Sequence, residues 1–302
     1  MSKPIAILTA DIHLRDTQPI CRTDNYWEAQ SKKLSFIKVL QKDLDLPIID
    51  AGDIFHVAKS SPFLEGFAMK NFPNNVFTIP GNHDLPNHKL DNIFNSSLNV
   101  LRIHNQNILV AIGPTDIGIN VSSDRFSVFG FPYGTEIKKI KPHYKGLQVA
   151  IIHTLVLSPN ENEWFGGKGE HAKSILKKFS CYDLILTGHN HKSFVVEYEG
   201  RLLVNPGSMM RYAANQINHK PCIYLWYDDN HVEEILIPIE ENVISREHLE
   251  TQEKKDERIA AFVEQVKTDY AMEFSFESNM DLFCLNNEVD KPVKGIIDES
   301  MV

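Results

Sequence analysis

The chain lacks any apolar run approaching the roughly 18–20 residues that a membrane helix needs, so no membrane span is expected. Its four cysteines, Cys21, Cys181, Cys222 and Cys284, are scattered with no Cys-x-x-Cys pair, which argues against a thiolate metal knuckle or a disulfide scaffold. They are expected as reduced thiols of a cytoplasmic protein, an expectation that fits a chain entering its first strand too soon for a secretory leader. No internal repeat or low-complexity run interrupts the 302 residues. A basic excess is also missing: 31 Lys and Arg face 40 Asp and Glu, for a net charge of -9. That balance excludes the strongly basic character of a tight, sequence-indifferent DNA binder. The acidity is uneven, since residues 241–302 hold 15 acidic against 7 basic side chains, and residues 1–240 hold 25 against 24. The body is therefore nearly neutral, and bound cations or local basic patches would set the field felt by a polyanion.

What is present is a series of short polar strings, each following a β-branched apolar run. Asp11-Ile12-His13 follows Pro4–Ala10, Gly52-Asp53 follows Pro47–Ala51, and Gly81-Asn82-His83-Asp84 follows Val76–Pro80. His153 follows Leu147–Ile152, and Gly188-His189-Asn190-His191 follows Tyr182–Thr187. Such runs read as buried strands. Side chains just past strand ends are where an open α/β sheet builds its site. Helices are expected near Tyr26–Lys42, with Trp27, Leu34, Ile37, Leu40 and Leu44 on one face, and near Phe63–Asn71. Strands are expected at Val100–Ile103, Ile108–Ile112, Phe126–Phe131 and Val149–His153, with further alternating segments from Phe194 to Ile239. The result is a layered α/β fold with a second sheet packed on the first.

A boundary is placed at 240, dividing a domain 1–240 from an acidic appendage 241–302. In the appendage a helix is expected over 247–272 (Ile259, Phe262, Val263, Val266 and Tyr270 at helical spacing) and a short strand at Glu273–Glu277. The polar tail Asn286–Val302 is expected to be partly loose.

Carboxylates, an amide and several imidazoles converging on one rim suit two divalent transition metals. A bridging ligand needs two oxygens, and Asp53 is the natural candidate. The assignment places Asp11, His13, Asp53 and His191 on one ion and Asp53, Asn82, His153 and His189 on the other. The pair would activate a metal-bridging hydroxide as nucleophile toward a phosphate. His83, adjacent to Asn82 on a turn, points elsewhere and is the candidate general acid, with Asp84 orienting its ring. His88, His104, His143, His171, His219, His231 and His248 are read as surface or structural. Lys138, Lys139, Lys141 and Lys145 form a basic run read as a solvated loop, and Trp164-Phe165-Gly166-Gly167 reads as a lip after His153.

The order DxH, GD, GNHD, a later His, then GHxH resembles the calcineurin-like metallophosphoesterases over about residues 5–239. The resemblance implies a four-layer α-β-β-α sandwich, with residues 241–302 as a small α+β appendage. It also implies a dinuclear site, Mn²⁺ first with Fe or Zn as alternatives, that hydrolyses phosphoesters through the ligands above. Ser/Thr protein phosphatases continue Gly-Asp with an Arg, whereas this chain reads Gly52-Asp53-Ile54-Phe55-His56. The Arg that grips a phosphomonoester is therefore absent. Gly52–His56 followed by Lys59-Ser60-Ser61-Pro62 looks like the SbcD-type DNA repair exonucleases. The stretch from Asp11 through His88 is most similar to their phage- and prophage-encoded relatives. In that group the residue matching His56 lies near the substrate phosphate. Asn205-Pro206-Gly207-Ser208 is similar to a turn of small family members, and Arg211 after it is a candidate phosphate contact. The implied function is a Mn-dependent DNA exo- or endonuclease. The alternatives are a phosphodiesterase for cyclic nucleotides or other small diesters, and an assembly subunit with modest activity alone. DNA as substrate, and an SbcC-like coiled-coil ATPase or a second copy of the chain as partner, complete the expectation.

Overall fold

The computed structural model describes residues 2–111, 126–139, 146–159, 169–247, 249, 257–261, 263, 276–287 and 289–300. The chain divides into two compact units, Met1–Ser245 and Arg246–Val302. The division falls a little beyond the expected boundary at 240 because residues 243–245 are tied to the body. Thr23 N–H donates to the Val243 carbonyl, Ser245 N–H donates to the Cys21 carbonyl, and Arg22 bridges Ile244.

In the first unit, β1 (Pro4–Thr9), β2 (Ile48–Asp50), β3 (Val76–Thr78) and β4 (Ile108–Val110) run parallel. Two antiparallel strands, β12 (Cys222–Tyr227) and β13 (Val232–Leu236), complete a six-stranded sheet on the other side of β1, in the order β13-β12-β1-β2-β3-β4. The second sheet has five strands: β5 (Phe126–Phe131), β6 (Leu147–His153), β9 (Leu184–Gly188), β10 (Phe194–Tyr198) and β11 (Arg201–Asn205), in the order β10-β11-β9-β6-β5. β7 (Val156–Leu157) and β8 (Glu170–His171) form a short separate ladder.

Strand alternation creates the layers. In β12, Cys222, Tyr224 and Trp226 enter the layer between the sheets, where they join Val149 and Ile151 of β6 and Leu184 and Leu186 of β9. Their neighbours Ile223 and Leu225 face the opposite way, toward Tyr26, Leu34 and Ile37 of α1 (Tyr26–Leu44) and Leu64 and Ala68 of α2 (Pro62–Asn71). On the outer face of the second sheet, Ala150, Ile152 and Ile185 pack on Ala172, Ile175 and Leu176 of α4 (Ala172–Lys178). Period-two patterning on both sheets thus yields helix, sheet, sheet, helix.

The crossover helices start at local signals. Asn25 accepts from Glu28 N–H before α1, and Ser61 accepts from Leu64 N–H before α2, with Pro62 in its first turn. The expected strand at Val100–Ile103 is instead part of the helix α3 (Ser97–His104). The Ser96 side chain caps its start, and Leu98 and Leu101 are buried while Ile103 is two-thirds exposed. Helical spacing and a cap outweigh the β preference of Val100 and Ile103.

In the second unit, residues 257–261 and 263 are helical; the rest of the helix expected over 247–272 and most of the strand expected at Glu273–Glu277 lie outside the described residues. Phe276 and Glu277 are instead in a helix, α5 (Phe276–Asn286). The tail expected to be partly loose carries a further helix, α6 (Lys291–Ser300). Its Pro292 occupies a first-turn position where a missing N–H costs nothing. Val293 and Lys294 N–H groups close on the Asp290 carbonyl, and Lys294 pairs with Asp281 at 2.6 Å.

Among the described residues no helix is long and apolar enough to cross a membrane. The four cysteines are unpaired.

Candidate metal centre

Parallel strands deliver their next residues to one edge, and both sheets do so here. β1 leads to Asp11 and His13, β2 to Asp53, and β3 to Asn82 and His83. β6 ends on His153, and β9 leads to His189 and His191. Three left-handed turns, at Asp11 (φ 49°), His13 (φ 49°) and Asp53 (φ 57°), aim these side chains back across the strand ends, and His189 (φ 79°) does the same from the second sheet. Such conformations cost about 1–2 kcal/mol each for non-glycine residues, so the surrounding hydrogen bonds must hold them. Asp50 does part of this work behind the site. It is fully buried, accepts from Thr9 and Thr78 hydroxyls at 2.8 Å each, and takes the Gly52 N–H at 2.9 Å. Gly81 is a glycine because a Cβ there would lie 2.1 Å from Asp53 Oδ1.

The ligand atoms fall into two groups around Asp53. Asp11, His13 and His191 place their donor atoms within 4.8 Å of one another, and Asp53, His153 and His189 do likewise. His13 Nε2 and His191 Nε2 face each other at 3.2 Å, and His13 Nε2 is 3.7 Å from Asp53 Oδ2. On the other side His153 Nε2 is 3.2 Å from the same Asp53 oxygen and 3.1 Å from Asn82 Oδ1, which His189 Nδ1 approaches at 2.8 Å. The structure thus brings together all seven residues expected as ligands, in the two expected sets.

Asp53 Oδ1 accepts the His83 N–H at 2.8 Å, but Oδ2 is buried with no hydrogen-bond partner among the described residues. An orphaned carboxylate oxygen with an imidazole nitrogen on either side is a poor arrangement for a bare protein and a good one for divalent cations. The residues fit such a pair. The tautomers fit as well: His153 Nδ1 lies 2.6 Å from the Ala51 carbonyl, so it carries the proton and leaves Nε2 facing Asp53.

The electrostatics carry the same mark. Burial, then the Asp53 charge, raises the Asp11 carboxyl to about 7 against a pull from His153. Burial lowers His189 and His191 to about 4 and His13 well below its ordinary value, so these imidazoles are neutral and able to ligate at physiological pH. Burial would lower His153, but the Asp53 carboxylate beside it outweighs burial and raises the imidazole to about 10, so its Nε2 binds a proton that a bound cation would displace.

His83 sits beside the cluster, its ring 4.8 Å from that of His13. Its Nδ1 is 2.7 Å from the His56 carbonyl, which fixes the proton on Nδ1 and leaves Nε2 without that constraint. The His56 ring stacks on His83 at 5.3 Å and 20°. The structure places His56 beside His83, next to the candidate ligands.

Two expectations fail. Asp84 does not orient the His83 ring; its carboxylate is fully buried and accepts the N–H groups of Phe55 (3.0 Å), Gly81 (3.1 Å) and Ile54 (3.3 Å). It clamps the Asp53 turn to the Gly81 turn, because adjacent side chains on that turn diverge and Asp84 faces inward. Arg211 does not face the metal ligands either. Its guanidinium donates to the carbonyls of Ile217 and Glu240 and lines a separate pocket. Its neighbour Tyr212 takes the rim position, with its hydroxyl 2.7 Å from His191 Nδ1.

Sequence reasoning missed Tyr212, Asp50, and two further supports. His88 Nδ1 donates to the Asn82 carbonyl at 2.9 Å, and Asn205 Nδ2 donates to the carbonyls of Asn190 and Lys192. The Asn205-Pro206-Gly207-Ser208 turn, at the end of β11, thus holds the loop bearing His189 and His191. Lys141, Lys145 and the lip at 164–167 lie outside the described residues.

Asp84→Ala would leave three buried N–H groups unpaired, and each unmade bond of this kind costs about 1–3 kcal/mol. Urea denaturation should show a loss of about 3 kcal/mol or more; an unchanged midpoint would contradict the clamp.

The calcineurin-like phosphoesterase family profile matches residues 6–193. The chain belongs to the calcineurin-like phosphoesterase family. The match spans every proposed ligand, from Asp11 to His191. No curated protein matches the chain. Solved structures with similar folds include an archaeal phosphodiesterase (15% identity, covering 78% of this chain and 99% of that one, TM-score 0.41). Others are a putative 5'-nucleotidase from Staphylococcus aureus in complex with alpha-ketoglutarate (16%, 83% and 58%, TM-score 0.47) and Zn²⁺-bound Vps29 from Entamoeba histolytica (13%, 77% and 99%, TM-score 0.35). This calcineurin-like phosphoesterase is a metal-dependent enzyme, and its candidate ligands are drawn from both sheets.

Proposed function

We propose that the enzyme hydrolyses phosphodiester bonds in nucleic acid, as a Mn²⁺-dependent DNA exo- or endonuclease of the SbcD type. The observation that carries this reading is the imidazole pair His56 and His83 stacked at the rim of the metal ligands, where the phosphomonoester-gripping Arg of the protein phosphatases has no counterpart in the Gly52–His56 string. An imidazole offers a single N–H to a non-bridging oxygen in place of the two-pronged grip of a guanidinium, which suits a diester, with one free charged oxygen fewer, better than a monoester.

Among the described residues, Asp11, His13, Asp53 and His153 are fully buried, whereas His56, His83, His189 and His191 are partly exposed. One side of the centre therefore opens to solvent, as a polymeric substrate requires. When bound, the two divalent ions supply Lewis acidity toward the phosphate and activation of water at neutral pH. His83 holds a proton for the departing sugar oxygen at Nε2, its ring fixed by the His56 carbonyl. Tyr212 and the Asn205 turn keep His191 and His189 in place.

The test is a substrate panel with Mn²⁺: linear duplex, single-stranded DNA, a cyclic nucleotide, a generic phosphodiester and a phosphomonoester. DNA and the generic diester are expected to turn over and the monoester to remain intact. Turnover of the monoester alone would overturn the diesterase reading, and turnover of the cyclic nucleotide without DNA would move the substrate to small diesters.

A further inference from the structure

A second concentration of charge lies away from the metal ligands, on the flank of α1. Arg22, Arg211, Lys32, Lys33, Phe36 and Ile239 are among the residues that enclose a pocket of about 140 Å³. Three of its cations are more than nine-tenths buried: Lys33 and Arg211 are 5% exposed and Arg22 is 7% exposed. Among the described residues, a single enclosed carboxylate answers them. Asp24 takes both forks of Arg22, with Nε to Oδ1 at 2.7 Å and Nη2 to Oδ2 at 2.5 Å. At the mouth, exposed Lys32 is met by Glu28 at 2.9 Å and Glu240 at 3.5 Å.

Among the described residues, Lys33 and Arg211 have no such partner. The Lys33 ammonium donates to the neutral Met209 carbonyl at 2.8 Å. Arg211 spends its terminal nitrogens on the Ile217 and Glu240 carbonyls, and its Nε is buried with no partner. Burial, then the nearby Arg211 and Arg22 charges, lowers Lys33 to about 7. Asp24, already engaged by Arg22, is the carboxylate whose charge reaches Lys33 and Arg211, so these buried cations outnumber their counter-charge, a cost that a bound anion would offset. Lys33 and Arg211 are not needed as core filling either, since the same pocket is walled by Phe36, Ile239 and Pro238. A fold that needed only packing there would be more stable with apolar residues at both positions.

We propose that this pocket binds a small tetrahedral oxyanion, with the Lys33 ammonium and the Arg211 guanidinium as its principal donors. A phosphate group fits the volume, whether inorganic or on a mononucleotide whose remainder leaves through the mouth beside Lys32. The site stands independently of the substrate reading above, because none of its residues is a proposed metal ligand.

Isothermal titration of the Mn²⁺-loaded full chain with sulfate, a tetrahedral dianion and weak metal ligand, tests the proposal. One saturable site per chain is expected. Lys33→Met should weaken it about tenfold or more, the worth of one charge-assisted hydrogen bond. Lys32→Glu, a surface change that leaves folding alone, should weaken it about threefold through the field at the mouth. Metal content should be unchanged in both. Competition then separates the sources: tighter displacement of sulfate by a nucleoside monophosphate assigns the site to nucleotides, and tighter displacement by inorganic phosphate assigns it to the free ion. Absence of saturable sulfate binding, equal binding by the wild-type chain, K33M and K32E, or displacement by neither phosphate would overturn the proposal.

Discussion

Asp53→Asn should strip the enzyme of its metal pair and lower kcat/KM by about a thousandfold or more, roughly 4 kcal/mol of lost transition-state stabilisation. The reason is positional. Asp53 Oδ2 lies 3.2 Å from His153 Nε2 and 3.7 Å from His13 Nε2, and Asp53 is the carboxylate close to both histidine groups. An amide in its place loses the negative charge that two cations share and offers a neutral oxygen or an N–H toward them. The substitution is nearly isosteric, so the Oδ1 bond from His83 N–H can survive and the fold should persist. Metal analysis after gel filtration gives the readout. Two ions per chain retained by D53N would remove Asp53 from the bridging position.

His83→Ala has a different signature. It should keep both ions and lose about 10²–10³-fold in turnover on DNA, the usual worth of a positioned general acid. The loss should shrink on a diester with a good leaving group, such as bis(p-nitrophenyl) phosphate, because p-nitrophenolate leaves with little need of a proton. A metal ligand would show the opposite pattern, with equal losses on both substrates and a falling metal content. That distinction matters because a His83 ring nitrogen also lies within 4.8 Å of ring nitrogens of His13 and His56, a grouping that could itself hold an ion. Loss of an ion in H83A would make His83 a ligand and would leave the proton-transfer role without a residue.

How much of this was legible in the sequence depended on how local each signal was. The strand ends and their polar strings were readable because each is encoded within about ten residues: an apolar run, then a string whose side chains must leave the sheet. The seven candidate ligand residues come together because the parallel strands of each sheet share one carboxyl edge. The layers were readable for the same reason, since alternation in β6, β9 and β12 sorts their residues between two apolar layers. Failures cluster where the deciding contact is distant in sequence. Asp84 stands next to His83, yet its partners are the amides of Phe55, Ile54 and Gly81, set by how two loops meet. Arg211 follows a motif turn, but its guanidinium is claimed by carbonyls at 217 and 240, and Tyr212 is the residue that reaches His191. Val100 and Ile103 misled through residue preference, which a Ser96 cap and helical burial of Leu98 and Leu101 override. Lys33 was invisible for a related reason: on a helix rich in lysine, nothing local marks the one that is buried.

The support around the ligands is as specific as the ligands themselves. Asp50, His88, Asn205 and Tyr212 each hold a backbone group or ring next to a ligand, and together they explain how several left-handed turns persist at one rim. Such a rim is stiff before substrate arrives, which is what positioned catalysis requires.

Anomalous diffraction from Mn²⁺-loaded crystals tests the central claim most directly. The account predicts two peaks flanking Asp53, one among Asp11, His13 and His191 and the other among Asn82, His153 and His189. A single peak, or a pair that does not share Asp53, would contradict it.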